Sequence, residues 1–393
     1  MSRRWWQILT GLLLCSTLLT GCWSRKELQE LVFVSTIGID WNEESQRFDL
    51  TVEVVRALYV PRPGERPGGS PQERPYHFVH ISGRTASEAM LQLQRTRSRR
   101  VHLSHVQVLL FGQEAARRSM ADALDYIWRF HQTRPYIDVV IARGSARELL
   151  AGRPTQGDLT GRWIATMLEQ SDIHGHAHTS PLYRVMYEIV TPGTAPVVPV
   201  LSLRRTGTPD PENVPSFLEF QVDGVALLQR DRMVRLLGSA ESRGLLLARG
   251  DLRSTVVTAP TPESEEEYLS VVLERAKARI QVGQAAGEGL PPVRLRVHAV
   301  AEFEQRQRLP EPVPSQVLRR MEQVISRHLQ EEIEGAIAAT QAAGVDGVGF
   351  GEALRRANPR LWHRYSGRWE EWYPELPVTV EVTVMLKRTG LLR

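Results

Sequence analysis

The first twenty-two residues constrain this chain most, because they decide on which side of a membrane it folds. Arg3 and Arg4 precede an apolar run over residues 8–18, and Leu19-Thr20-Gly21-Cys22 follows it. Charge, short apolar core and small residues, in that order, make a secretory signal. The apolar core falls short of the roughly 20 residues that a spanning helix needs. A cysteine directly after Leu-x-Gly gives the segment a sharper meaning, that of a lipobox. In that reading the chain is cut between Gly21 and Cys22 after a diacylglycerol is joined to the Cys22 thiol. The plainer alternative is an ordinary signal peptide with an incidental cysteine. Ser2-Arg3-Arg4 lacks the further residues of a twin-arginine export signal. Acyl chains contribute about 0.8 kcal/mol per buried CH₂ and hold a folded body on a bilayer. The expectation is an ectodomain tethered at its first mature residue.

Composition bears on what that ectodomain can be. The 393 residues are enough for two or three domains, and 42% hydrophobic with 24% charged residues is ordinary globular usage. Of 49 basic residues, Arg3 and Arg4 leave with the signal, so 47 face 45 acids. That balance lacks the basic footprint of a nucleic-acid binder. Cys15 also leaves and Cys22 is acylated, which removes disulfides, cysteine nucleophiles and thiolate metal sites from the mature body.

Periodicity places the elements. Residues 31–39 read as a buried strand, and Phe48, Leu50, Val52 and Val54 alternate with polar neighbours as its hairpin partner. A proline-rich stretch at 61–75 reads as a loop. Thr85-x-x-Glu88 is a capping box opening a helix to Gln94, and Ser145-x-x-Glu148 opens another. Strands at 76–82, 106–111 and 137–142 between helices argue for mixed α/β layers. Four arginines within 95–100 suit either a headgroup clamp or a solvated helix end, and the latter is the simpler. Residues 205–215, rich in proline, glycine and charge, read as a linker. It separates an N-terminal α/β region, 22–204, from a C-terminal α+β domain, 216–393. In the latter, three short strands are expected at 217–222, 224–229 and 233–237, with turns at Asp223-Gly224 and Arg230-Asp231. Strands at 268–273 and 278–282 follow. A long helix over 315–342 has the apolar stripe Leu318, Met321, Ile325, Leu329, Ile333, Ala336 and Thr340.

Chemistry is sparse. His174-Gly175-His176-Ala177-His178 has imidazoles at metal-ligand spacing, but the small residues between them favour an exposed loop. Gly347-Val348-Gly349-Phe350-Gly351 follows a helix and is not followed by Lys-Ser/Thr. It therefore reads as a helix stop and not as a phosphate cradle. No nucleophile elbow, zincin or Walker signature occurs, and no cofactor is implied. Phe350, Leu354, Leu361 and Trp362 are expected to pack this turn onto the helix and sheet.

Three blocks in order resemble the Ger(x)C family of spore germination lipoproteins, the C subunits of nutrient germinant receptors. The first is Gly21-Cys22-Trp23-Ser24-Arg25-Lys26-Glu27-Leu28 with Ile37-Gly38-Ile39-Asp40. The second is Ser104-His105-Val106 through Phe111-Gly112, with Leu124-Asp125-Tyr126 and Arg129. The third is Gly349-Phe350-Gly351-Glu352-Ala353-Leu354 with Asn358-Pro359-Arg360-Leu361-Trp362 and Trp369, ahead of the strand at 378–388. Ser24 departs from the family's usual Asp, and the insert at 61–75 and the histidine segment are further departures. The resemblance implies an α+β, multi-domain ectodomain of mixed β-sheets flanked by helices, in three domains. It implies a lipid anchor on the outer face of the spore inner membrane, integral A and B subunits as partners, and no enzymatic activity. Phe350, Gly351, Glu352, Pro359 and Trp362 become the candidate structural or interaction residues. The rival from another class is a lipid-anchored solute-binding protein or extracytoplasmic hydrolase, which needs a cleft between similar lobes. Here the halves are unlike in pattern.

Overall fold

A computed structural model describes residues 30–56, 75–152, 159–175, 177–206, 217–252, 254–261, 267–285, 289–306 and 315–387, with Trp5, Trp6 and Thr10. Gly21, Cys22 and residues 61–74 of the proline-rich insert lie outside the described residues.

The alternating strand at 48–54 does pair with the strand before it. β1 (Leu31–Asn42) and β2 (Arg47–Val55) form an antiparallel hairpin, and β3 (Tyr76–Gly83) extends it. Next come α1 (Ala86–Arg95), the short β4 (Arg100–His102), β5 (Val108–Gly112), α2 (Gln113–Arg118) and α3 (Ala121–Arg129). Then follow β6 (Asp138–Ala142), α4 (Ala146–Ala151), α5 (Thr160–His174), α6 (Leu182–Val190), β7 (Val197–Thr206), β8 (Phe217–Gln229) and β9 (Arg232–Leu236). These strands make one mixed sheet in the order β3-β2-β1-β5-β6-β7-β8-β9, with β4 beside the start of β1. β1, β5, β6 and β7 run parallel, joined by helical crossovers. Every residue of β5 and β6 is buried, as expected for central parallel strands covered on both faces. Leu109, Phe111, Val139 and Ile141 face α1, α2, α3 and α6, whereas Val108, Leu110, Val140 and Ala142 face α4 and α5.

Two carboxylates from the opening hairpin, Asp40 half-buried and Glu53 buried, hold helices on this sheet. Asp40 accepts from the N–H groups of Ala146 (2.7 Å) and Arg147 (2.9 Å) and from the Ser145 hydroxyl, at the start of α4. Glu53, fully buried, accepts from the N–H groups of Thr160 (2.8 Å) and Gly161 (3.2 Å) at the start of α5, and from Ser35 and Thr36. Each satisfies backbone donors that a helix leaves free at its N-terminus. The Thr85 cap forms as the spacing predicts, with Glu88 N–H on Thr85 Oγ1 at 3.1 Å.

The remainder is a second sheet, β10 (Thr255–Pro260), β11 (Tyr268–Val282), β12 (Val293–Arg306) and β13 (Val378–Lys387), in that order. β10, β11 and β12 are antiparallel, and β13 joins parallel to β12. One face is covered by α7 (Ser239–Arg249) and by α8 (Ser315–Ala342), whose predicted stripe is buried from Met321 to Thr340. Arg243 of α7 pairs with Glu332 of α8. The long helix also covers the outer edge of β13, where Ser326 Oγ takes the Val384 N–H (3.0 Å) and Glu322 takes that of Leu386 (2.9 Å).

Two expectations change. Asp223-Gly224 is no turn: β8 runs through it, and the pairing with β7 slips one residue there. Gly224 adopts φ +127°, and a Cβ on it would lie 2.5 Å from Ser242 Oγ, so the glycine serves a bulge against α7. Likewise 268–273 and 278–282 are one strand, with a bulge between Leu273 and Arg275 in place of a break. The Arg230-Asp231 turn forms as expected, Arg230 taking φ +57°. As for residues 205–215, Arg205 and Thr206 still belong to β7 and pair with Leu218 and Phe217 of β8. β8 then serves both cores: Val225 and Leu227 face the C-terminal one, Ala226 and Leu228 the N-terminal one. The fold is α+β, mixed sheets flanked by helices.

Glu53→Ala leaves two backbone N–H groups and two hydroxyls without their buried acceptor. The expected cost is about 2–4 kcal/mol, against about 1–2 kcal/mol for Asp40→Ala, an ordinary cap loss at a half-exposed position. Urea unfolding of both variants tests this; equal costs would contradict the role given to Glu53.

Candidate functional site

The helix stops earlier than the Gly347–Gly351 cluster to which the sequence assigned the stop: Gly344 ends α8, and Gly349 instead opens the next helix. The Gly344 N–H bonds to the Gln341 carbonyl and the Val345 N–H to that of Thr340, with Gly344 at φ +67°. This is a Schellman stop. Its purpose lies beyond: it delivers Asp346 into the core. Asp346 accepts from the N–H groups of Gly349 (2.7 Å), Phe350 (3.0 Å) and Gly351 (2.7 Å), and from Trp369 Nε1 (3.0 Å). Burial pushes its carboxyl pKa up, while the three backbone donors and the indole favour the ionised form. That carboxylate starts α9 (Phe350–Ala357) and ties it to Trp369 of the following chain. α10 (Pro359–Tyr365) is capped by Asn358, whose Oδ1 accepts the Leu361 N–H at 3.0 Å.

Phe350, Trp362, Tyr365, Trp369 and Tyr373 are all buried here. Trp362 meets Trp369 edge to face at 5.2 Å between centroids. Tyr373 bonds Thr340 of α8 through its hydroxyl, 2.6 Å away. Of the residues singled out from sequence, Phe350, Gly351, Glu352 and Trp362 come together, and Pro359 stands exposed at the first turn of α10. Cys22 and Gly21 lie outside the described residues.

The block does more than pack onto its own helix and sheet, because it also meets the N-terminal half. The Glu352 N–H donates to the Gly193 carbonyl at 2.9 Å. Gly193 has φ +84°, and a Cβ on it would lie 2.7 Å from the Gly351 carbonyl carbon and from Trp362 Cη2. Two backbones thus touch where neither tolerates a side chain.

A buried charge cluster locks the same seam. Arg249, at the end of α7, is 4% exposed. It donates to Glu188 of α6 (2.6 Å), to Asp251 (2.8 Å), to the Gly347 carbonyl and to the Ala195 carbonyl (3.4 Å). Arg184 of α6 adds bonds to Asp251 (2.6 Å) and Glu188 (3.2 Å). Two cations and two anions balance. Burial opposes ionisation of Asp251, but Arg249 and Arg184 outweigh it and hold the carboxyl well below its usual range. For Arg249 burial is again outweighed, by Glu188 and Asp251, so the guanidinium stays charged.

His178 sits beside this cluster, 3% exposed, and Gly175 and Ala177 are buried with it. The expectation of an exposed loop fails at these three positions, because the segment is held between α6 and the start of β10, with Gly175 against Thr255. Among the described residues, neither His178 ring nitrogen has a hydrogen-bond partner. Burial pushes its pKa down to about 3, with Asp251 pulling up and Arg249 and Arg184 down. Residue 176 and the His174 side chain lie outside the description. Among the described residues no three His, Cys, Asp or Glu side chains are grouped to hold a metal.

Two clefts flank the seam. One, of about 430 Å³, runs between Thr191–Ala195 and Arg368–Glu371; the other, about 590 Å³, lies over Glu188, Arg249 and Glu352. Their charged walls are paired: Glu370 with Gln229 and Arg230, Arg368 with Glu371, and Glu352 with Arg355 and Arg356. Sequence reading missed Gly193, Arg184, Glu188, Arg249, Asp251 and Asp346. Only Asp346 left a local signal, an acidic side chain three residues ahead of a helix-opening glycine.

The arrangement defines a two-part α+β protein whose halves meet across a buried, charge-balanced junction. Residues 24–203 match the family "Spore germination protein N-terminal domain", and residues 223–390 match "Spore germination B3/ GerAC like, C-terminal". The chain belongs to this Ger(x)C family of spore germination proteins. It is 24% identical to the putative spore germination protein YfkR of Bacillus subtilis, over 100% of this chain and 98% of that one. To the spore germination protein KC of the same organism it is 23% identical, over 97% and 95%. The crystal structure of the GerBC protein superposes with a TM-score of 0.54 at 14% identity, covering 89% of this chain and 96% of that one.

Trp362→Ala removes the ring that Gly193 and Trp369 enclose and should cost about 3–5 kcal/mol. The amount of folded protein, read by thermal melting and by its level in spores, is expected to fall, with the germination response falling only in step. A stable, abundant but unresponsive variant would instead make this block a signalling surface.

His178 stays neutral in the folded chain down to about pH 3 but takes a proton near 6.5 when unfolded. Below 6.5 the unfolded chain binds more protons, so stability falls as pH falls, by about 1.4 kcal/mol per unit. His178→Phe should therefore lose about 2 kcal/mol less than wild type between pH 6.5 and 5 in urea titrations. Identical losses in the two proteins would refute the assignment.

Proposed function

We propose that this protein is a lipid-anchored, non-catalytic C subunit of a spore germinant receptor, working with integral membrane A and B subunits in nutrient-triggered germination. A germination role follows from family membership over nearly the whole chain. The observation that carries the finer reading is the position of Cys22. It follows Leu19-Thr20-Gly21 at the end of a signal-type run, immediately before the family match opens at residue 24. No described helix is long and apolar enough to cross a membrane, so acylation of Cys22 supplies the attachment in this proposal. A structural role is favoured by the seam itself, whose buried ionic groups are engaged with one another or with backbone. The tethered body then stands on the outer face of the spore inner membrane, where the A and B subunits reach it.

Cys22→Ala is expected to abolish incorporation of labelled fatty acid and to release the protein from spore membranes, with loss of the nutrient response. Membrane retention of an unlabelled Cys22→Ala protein would defeat the lipid anchor. Pull-down of epitope-tagged wild-type protein from detergent extracts should recover the A and B subunits, and their absence would defeat the assembly.

A further inference from the structure

The outer face of the C-terminal sheet carries a concentration of charge that the near-neutral composition does not foretell. α7 and α8 cover one face only; on the other, β11 presents Arg275, Lys277 and Arg279, and β12 presents Arg294, Arg296 and His298. The register sets Lys277 opposite His298 and Arg279 opposite Arg296. Like charges directly opposite one another destabilise a sheet. Glu274, at the bulge in β11, lies near Arg275 and pairs with Lys387 of β13, and Glu381 of β13 lies beside Arg296 at 2.8 Å and Arg294 at 3.1 Å. These guanidiniums lower the Glu381 pKa. Lys277 and Arg279 are exposed and have no acidic partner among the described residues. At the border of the patch, Met385 is 62% exposed and lies in register with Val300. Folding alone gains nothing from this arrangement.

We propose that this basic sheet face docks on anionic phospholipid headgroups. The proposal rests on the tethered reading above, which puts the body within reach of a bilayer. The surface has the matching chemistry: Arg and Lys side chains spread over two neighbouring strands, about 4.8 Å apart across strands, on one open face rather than in a pocket. Such a face meets a plane of phosphates. Met385 and Val300 add an apolar rim that enters the headgroup boundary. Docking orients the body on the membrane, which a single tether at residue 22 leaves free to swing.

The test uses full-length chain carrying Cys22→Ala, so that acylation is out of play. Its partition is measured onto vesicles of phosphatidylcholine alone and with 30% phosphatidylglycerol, in about 0.1 M salt. The expected result is preference for the anionic vesicles, weakening as salt rises. Each basic charge near an anionic surface is worth roughly fivefold in partition, so Lys277→Gln with Arg279→Gln should weaken anionic binding about 25-fold. The charge-conserving pair Lys277→Arg with Arg279→Lys should not. Glu381→Gln adds net positive charge and should strengthen it roughly fivefold, which keeps the test open if the double variant folds poorly. No anionic preference in the parent chain, or full preference in the double variant, overturns the proposal; an acidic protein surface is then the occupant. Fatty-acid labelling of wild type reads the tether separately. A labelled chain with no anionic preference sinks this surface and keeps the anchor, and an unlabelled chain with that preference does the reverse.

Discussion

The guanidinium of Arg249 is the interaction on which the two halves depend. It closes α7, neutralises Glu188 on α6, and binds carbonyls on both sides of the seam, at Ala195 and Gly347. A buried cation is tolerated only when paired and fully hydrogen-bonded, and here Glu188 and Asp251 supply the pairing while Arg184 balances the second acid. A cluster of this kind contributes less to net stability than to uniqueness. A shifted arrangement of the halves strands a charge in the core, so that only one docking is cheap. Gly193 against Gly351 enforces the same geometry sterically.

A second theme runs through both halves. The buried Glu53 and Asp346 and the half-buried Asp40 take the free N–H groups of α5, α9 and α4. Each carboxylate fixes where a helix starts relative to a strand or to a distant loop. The family blocks thereby gain a physical reading. Gly38 leaves room for Leu150 of α4, and Asp40 two residues on caps that helix. The block around Phe350 is the wedge that meets Gly193. Their place in the resemblance follows from contacts between segments far apart in the chain.

Elements carrying a strong period were legible from the chain alone. The stripe on α8, the β1–β2 hairpin and the Thr85 cap formed as their spacing demands. Misreadings arose where a local signal had two structural uses. Asp-Gly marks a hairpin turn in isolation, yet at Gly224 the same backbone freedom serves a bulge, because Ser242 of α7 comes too close for a Cβ. Three imidazoles separated by small residues suggest a solvated loop. At His178 the loop is instead buried beside Arg184, Arg249 and Asp251, with Gly175 packed against Leu252 and Thr255.

The sequence by itself determined the α+β alternation, the long amphipathic helix and the family, and it carries the Leu19-Thr20-Gly21-Cys22 motif on which the proposed anchor rests. These reside in spacing along a single segment, where side-chain geometry alone settles the outcome. Only the tertiary structure decided which polar groups are buried. Arg249, Asp251 and His178 look like any surface residues in the chain, and the basic face of the second sheet emerges only when the register of β11 and β12 sets their cations side by side. Burial and charge concentration depend on which remote segments pack together, and desolvation, which sets their energies, is a property of that packing and not of the residues.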